Sequence, residues 1–497
     1  MSPKLRTIIY LVVGAAIGVS IGIDVADESY AVAVLIGAST LWLVVNRVSP
    51  STPDVWLLGV TVAGYIIGNR GFAQLQPSDH LPLLPAEAAL LVTVPALVLR
   101  TVMRKTPIIG RDGLNYAILI WMIVGTIRLP LDVQRYGVIA VRDYAMVYYA
   151  SFFFVAQAFA PKAVNVRVLT GSITFAIVCL MPVVVSILIS PEYLAEHVTW
   201  NGIPLIFHKS DLIANSLGAG FFWLWTRWEK DHRRIWIALA SVCLLLIGEM
   251  ASPRAAMFAV AVTTLLWVWF KRWRIAAVQV GIVSAAALLV LGYLSLTGGD
   301  LEKSAPYSMY EHAISIFDPS GSGTYINGKS GDPGDNNRFR IVWWKDVIED
   351  TTAENPIFGL GFGTDLAARF VADYGLVTDE SFAARSPHSM IVTTYGRMGL
   401  LGLSCWLVAS AFMARTVYRV FKTGDPDAMG LCCIVTMTWL SACVGVVLES
   451  PMAAVFFWTA LGLAHGRLHG LTERPAQAKE TVTEDWPVAK PVPVDTY

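Results

Sequence analysis

Two arginines, Arg338 and Arg340, and a histidine, His388, stand out along a polar stretch of an otherwise apolar chain. A guanidinium grips phosphate-type anions through paired N–H donors, and an imidazole exchanges a proton near neutral pH. Together these residue types suit chemistry on a phosphate-bearing substrate. Asn336 and Asn337 can cap a helix, and Phe339, Val342, Trp343 and Val347 follow at near-helical spacing. That pattern predicts a helix with its aromatic face on the membrane and its N-terminus favouring an anion. Residues two apart diverge by about 200° on a helix. If both arginines hold one ligand, one of them must sit in an irregular lead-in. His388 follows Pro387 at the head of an apolar run. The positive end of a helix dipole would lower its pKa and keep it neutral, as a general base requires. The plainer readings stay open beside these: a basic helix end on lipid headgroups, and a capping histidine.

The elements that must position these groups are membrane helices. Of 497 residues, 55% are hydrophobic and 15% charged, with a mean hydropathy of +0.57. Soluble domains carry about 25% charged residues, so the chain reads as an integral membrane protein. Lysine plus arginine and aspartate plus glutamate balance at 37 each, which gives no argument for nucleic acid. Apolar runs near the roughly 20 residues that cross hydrocarbon fall at about 7–23, 31–48, 55–69, 86–101, 113–128, 138–160, 165–190, 210–227, 234–250, 255–270, 275–297, 388–415, 428–448 and 452–468. Several are short enough to be half-helices, so the expectation is about 12–14 transmembrane helices with one long loop, 298–387.

Basic residues mark every second connection: Lys4 and Arg6, Arg47, Arg100 to Arg111, Lys162 and Arg167, Arg227 to Arg234, Lys271 to Arg274, and Arg415 to Lys422. By the positive-inside rule this side is the cytoplasm. Both termini are then cytoplasmic and the long loop lies outside. The apolar start has no small-residue cleavage pattern after it and reads as a first helix, not a removed signal. The Pro-rich polar tail, 471–497, reads as disordered. All six cysteines fall within predicted spans and read as small apolar core residues, with no zinc or redox spacing among them.

Charges that break this pattern carry the functional information, because a charge within a span is costly unless it meets a partner or a cavity. Arg254, after Ala-Ser-Pro, has Glu249 five residues earlier; an ion pair stapling a turn and a guanidinium at an anionic headgroup are both open. Arg142 has Asp143 beside it, so a structural pair competes with a ligand contact. His208 and Lys209 precede a span and read equally as phosphate contacts or as a snorkelling interfacial lysine. Arg397, Glu449 and Glu249 read as supporting groups, with Arg397 just below His388 among Gly396, Gly399 and Gly402. Gly359-Leu360-Gly361-Phe362-Gly363 imitates a nucleotide fingerprint but follows no strand of a βαβ unit, so it reads as a tight turn.

Four features taken together resemble the O-antigen ligase and O-antigen polymerase superfamily of bacterial membrane glycosyltransferases. Arg340 and Trp344, followed by Asn355-Pro356 and the glycines at 359, 361 and 363, resemble its arginine, tryptophan, N-P-hydrophobic-G-x-G-x-G stretch. His388-Ser389, nine residues, then Gly399-Leu400-Leu401-Gly402 resemble its histidine motif. Ser252-Pro253-Arg254-Ala255 resembles an earlier Ser-Arg-small segment, and the large loop between two late spans is the fourth. The resembling core is about 205–468. Departures are Ser389 where the family commonly has asparagine, and the proline before Arg254.

The resemblance implies an all-α polytopic fold, GT-C-like. Helices over 1–297 precede a periplasmic loop with short helices at 298–387, and the last helices follow at 388–470. It implies inverting transfer from an undecaprenyl-pyrophosphate glycan to a lipid A–core hydroxyl, outside the bacterial inner membrane. His388 would be the base, and Arg254, Arg338, Arg340, Lys209 and Arg142 would hold the pyrophosphate. Glu249, Glu449, Asp211 and Asp335 are substitutes for the base. No metal and no cofactor is implied, and membrane lipids are the other partners. A polymerase joining lipid-linked repeats is the alternative within the class. A lipid-linked-saccharide transporter is the alternative outside it, disfavoured because no internal repeat is seen.

Overall fold

The computed structural model describes residues 53–75, 84–104, 109–250, 254–318, 333–373 and 385–480. The spans at 7–23 and 31–48, Ser252, Pro253, the side chain of Asp335 and the tail beyond 480 lie outside the described residues. The protein is an all-α, multi-pass membrane protein. Each of the other expected spans is a helix: α1 (Pro53–Gly68), α2 (Pro85–Arg104), α3 (Gly113–Tyr136), α4 (Val138–Phe159), α5 (Ala163–Ile189), α6 (Ser210–Asp231), α7 (Arg234–Gly248), α8 (Arg254–Trp269) and α9 (Arg274–Thr297). The loop carries α10 (Ala305–Ser315), α11 (Pro333–Glu354) and α12 (Ala368–Asp373); then come α13 (Met390–Thr423), α14 (Pro426–Cys443) and α15 (Pro451–Glu480).

Among the described residues, α2, α3, α4, α5, α9, α13 and α14 are long and apolar enough to cross a membrane, and α1, α7 and α8 are shorter apolar helices. The middle of α6, Leu212 to Thr226, is buried, and the bundle encloses it. The strand content described is one hairpin, β1 (Thr199–Trp200) paired antiparallel to β2 (Ile203–Pro204). Local signals set the boundaries. Asp112 caps α3 by accepting from the Leu114 and Asn115 amides, and α3 ends at Gly137, where φ is +64°. Asp425 caps α14 ahead of Pro426, a favoured first-turn residue. α4 is segmented, with breaks near Tyr144 and at Tyr149–Ala150.

Large aromatics lock the bundle. Trp121 of α3, Trp406 of α13 and Trp458 of α15 meet with ring centroids 5.2–6.3 Å apart, and all three are buried. A smaller core lies in the loop, where Trp343 stacks on Phe370 at 5.0 Å with Val347, Leu366 and Val392 around them. This corrects the expectation that the aromatic face of α11 rests on the membrane: it is covered by the loop's own α12 and the head of α13. α10 and α12 are the short helices expected in the loop, and α11 between them runs to 22 residues.

Candidate active site

A cavity of about 790 Å³ opens where the long loop meets the bundle. Its walls include Arg70, Glu87, Arg142, Tyr148, Tyr149, Lys209, Arg385, His388, Arg397 and Glu449. These positions span nearly 400 residues of sequence, and the fold brings them to one place. His388 stands two residues before α13 in a left-handed conformation, φ +55°. Trp344 donates its indole N–H to the Pro387 carbonyl, and the Ser389 side chain caps α13 at Val392. The imidazole lies 5.4 Å from the ring of Trp343 and 6.5 Å from that of Phe339. Burial first, then the positive charges of Lys209 and Arg340, press its pKa down to about 3. The neutral form expected from the sequence is what this environment favours, but desolvation and neighbouring cations are the cause, and no helix-dipole effect has to be invoked.

The glycine-rich turn is held by α13 and two carboxylates. Gly359, Gly361 and Gly363 all have positive φ, between 77° and 101°, where an L side chain is strained. Leu360 and Gly361 donate to the carbonyls of Gly396 and Arg397 at 2.7 and 3.2 Å. Phe362 donates to Asp132 and Gly363 to Asp143, at 2.8 and 3.0 Å. α13 breaks at Gly399, φ +63°, so Leu400 and Leu401 donate to Pro356 and Ile357 of the turn, at 2.8 and 3.1 Å. A Cβ at Gly399 would overlap the Ile357 carbonyl. These amides are already engaged within the protein, which agrees with a tight turn and not a phosphate cradle. Arg397, buried, closes the arrangement: it donates to the carbonyls of Gly361, Thr364 and Arg385 and pairs with Asp143 at 2.8 Å.

The expected site residues divide into two groups. Arg142, Lys209, His388, Arg397 and Glu449 line the cavity. Asp143 is engaged by Arg397 and by Arg385 at 3.7 Å, leaving Arg142 facing the space. Lys209, 42% exposed in its side chain, is 3.4 Å from Asp211. Its neighbour His208 is tied to the Ile67 carbonyl at 2.7 Å, and burial lowers its pKa to about 4, so it is no cation at neutral pH. Arg340 borders the site, holding the Val444 carbonyl at 2.7 Å while its charge reaches His388. Both Arg338 and Arg340 belong to α11 proper, so neither sits in an irregular lead-in, and Arg338 is exposed.

Arg254 is buried and holds the Asn337 side chain at 3.0 Å, and Asn337 in turn donates to the carbonyls of Ser315 and Asp318. It acts on the start of α11. Glu249 is exposed at the end of α7, away from the cavity lining. Glu449 accepts from the Thr393 hydroxyl at 2.6 Å, and burial raises its pKa.

Sequence reasoning missed Arg70, Glu87 and the tyrosine pair. Glu87 accepts from the hydroxyls of Tyr148 and Tyr149 at 2.5 and 2.7 Å. A carboxylate in the apolar run Pro85-Ala-Glu-Ala-Ala-Leu-Leu is the kind of span-breaking charge that should have drawn notice.

Residues 236–407 match the O-Antigen ligase family, which supports the superfamily resemblance carried by the motifs. No curated protein matches the chain. The matched stretch holds Arg254, Arg338, Arg340, His388 and Arg397, whereas Arg70, Glu87, Arg142, Lys209 and Glu449 come to the cavity from outside it.

Proposed function

We propose that this O-antigen ligase-type chain transfers a glycan from undecaprenyl pyrophosphate to a lipid A–core hydroxyl, on the periplasmic face of a bacterial inner membrane. The observation that carries the reading is one cavity holding a neutral histidine, His388, among cationic side chains. Arg142 and Lys209, with Arg70 and Arg385 on the walls and Arg340 alongside, hold the pyrophosphate and stabilise charge as it leaves. The acceptor oxygen attacks the anomeric carbon, the bond from that carbon to pyrophosphate breaks with inversion, and His388 takes the hydroxyl proton. Lys209 and Arg340 depress proton affinity at His388. A bound pyrophosphate offsets both charges, so the histidine becomes more basic once the donor is in place. Arg254 serves by fixing α11 through Asn337, and Arg338 is left for the surface around the site.

The test is transfer by purified protein in detergent from an undecaprenyl-pyrophosphate glycan to lipid A–core, comparing wild type with His388→Ala and Arg340→Ala. Transfer that collapses in both variants supports the assignment. Longer lipid-linked glycan as the product would make the protein a polymerase. Failure to use either acceptor, from folded protein, would remove the glycosyltransferase reading and return the transporter.

A further inference from the structure

A second cluster lies midway along α15, about 24–30 Å from Glu449 by helix rise, among the basic connections. His465 and His469 are one turn apart on α15, so both imidazoles leave the same face. Asp112, the cap of α3, stands opposite. His465 Nε2 is 3.1 Å from Asp112 Oδ1, His469 Nε2 is 3.6 Å from Asp112 Oδ2, and the two Nε2 atoms are 3.1 Å apart. All three donor atoms fit within 4.8 Å of one another.

The Thr416 hydroxyl donates to the Phe412 carbonyl at 3.0 Å, and His465 Nδ1 lies 3.4 Å from that hydroxyl oxygen. That contact turns Nε2 of His465, a residue 4% exposed, toward the Asp112 carboxylate. A carboxylate oxygen and two ring nitrogens drawn this close form a donor set that one divalent cation satisfies at once.

The distances suit a metal. Ligand bonds of about 2.0–2.1 Å in a tetrahedron place donor atoms about 3.3–3.4 Å apart; the Nε2–Nε2 separation and that from His465 Nε2 to Asp112 Oδ1 are both 3.1 Å, and the 3.6 Å contact of His469 is to the other carboxylate oxygen, Oδ2. The outer contacts also suit ligands. Thr416 orients His465, and the Leu114 and Asn115 amides orient Asp112 at 3.0 Å, as ligand-supporting hydrogen bonds do. The side chains of His469 and Asp112 are 39% and 19% exposed, leaving an entry path and a fourth position for water.

We propose that Asp112, His465 and His469 bind one divalent cation of the zinc class, tying the start of α3 to α15. The site is separate from the glycosyl-transfer cavity and needs nothing from that reading.

The experiment uses the untagged full chain in detergent, stripped with a chelator, desalted at pH 7.5 and titrated with Zn²⁺ against a chromophoric competitor. Thermal unfolding is followed in parallel. The expected result is one Zn²⁺ per chain, a Tm that rises with Zn²⁺, and Co²⁺ absorption of tetrahedral type. In His469→Ala, a half-exposed position, affinity should fall by more than the roughly 100-fold that loss of an outer-shell partner costs, and the Tm response should vanish. Asp112→Asn preserves the helix cap and removes the anionic ligand, so it should fold yet lose Zn²⁺ affinity. Wild type that binds no Zn²⁺ saturably, or variants that bind as wild type does, would overturn the proposal and leave Asp112 as a hydrogen-bonding partner of the two histidines.

Discussion

Arg397 is the most consequential side chain to perturb, because it grips the glycine turn and the helix break at once. Arg397→Lys keeps a positive charge that can still reach Asp143, but an ammonium cannot reproduce a planar fork that also serves the Gly361, Thr364 and Arg385 carbonyls. Each charged hydrogen bond lost from a buried site costs about 1.5–3 kcal/mol. Arg397→Ala goes further and leaves Asp143 with Arg385 at 3.7 Å as its remaining cation. Breaking a buried pair of this kind costs about 3–5 kcal/mol, a large share of the roughly 5–15 kcal/mol that separates folded from unfolded chains. The alanine variant should therefore lose roughly 3–6 °C in Tm, with the lysine variant between it and wild type. The assay pairs thermal unfolding in detergent with initial rates of glycan transfer. If Arg397 positions the site, both variants lose rate in step with stability, chiefly in kcat as His388 loses its fixed place. A lysine variant with the Tm of wild type would refute the clamp. A variant of unchanged Tm with abolished transfer would show that Arg397 touches the reacting groups directly.

Acid should destabilise the protein through His388. The unfolded chain protonates this residue near pH 6.5 and the folded chain only near 3; between these values the unfolded state binds more protons, so stability falls as pH falls. His388→Gln should flatten the slope of Tm against pH over that window, and an unchanged slope would mean that the ring is not held neutral. Gly399→Ala should cost more than the roughly 1–2 kcal/mol of a left-handed residue, because the added carbon also meets the Ile357 carbonyl; a Tm equal to wild type would exclude the strained break. Lys209→Ala and Arg142→Ala should raise KM for the pyrophosphate donor by about tenfold or more, the equivalent of one charged contact of 1.5–3 kcal/mol. Arg338→Ala, exposed and outside the cavity lining, should leave it within about twofold, and the reverse order would move the pyrophosphate onto the outer face of α11.

The helices were legible in the sequence because membrane crossing imposes length and apolarity, and alternating basic loops registered them. His388, Arg397 and Glu449 were legible as polar groups in places where such groups are costly. What the sequence could not convey was direction. Arg254 and Arg340 read alike in the sequence, yet in the fold Arg254 holds Asn337 while Arg340 donates to the Val444 carbonyl with its charge acting on His388. Only the packing of α8, α11 and α14 decides that. Glu87 and Arg70 were missed because cavity membership depends on α1, α2 and α4 closing over the loop, a relation between elements tens to hundreds of residues apart. The histidines at 465 and 469 carried a readable signal in their spacing of four, but Asp112 lies more than 350 residues earlier and appears beside them only in the folded chain.

The break in α13 has a mechanical meaning. Because Leu400 and Leu401 donate to Pro356 and Ile357, while Leu360 and Gly361 donate back to Gly396 and Arg397, turn and helix are spliced by hydrogen bonds running in both directions. A splice of this kind transmits force: the turn cannot swing as a flap without unzipping the helix, so 356–363 and the head of α13 travel as one lever. Any widening of the cavity then falls to its other walls, the segmented α4 and the 444–450 connection between α14 and α15, whose backbone is already interrupted. Under the proposed function, a lipid-linked donor would pass these walls while His388 keeps its place beside the spliced turn.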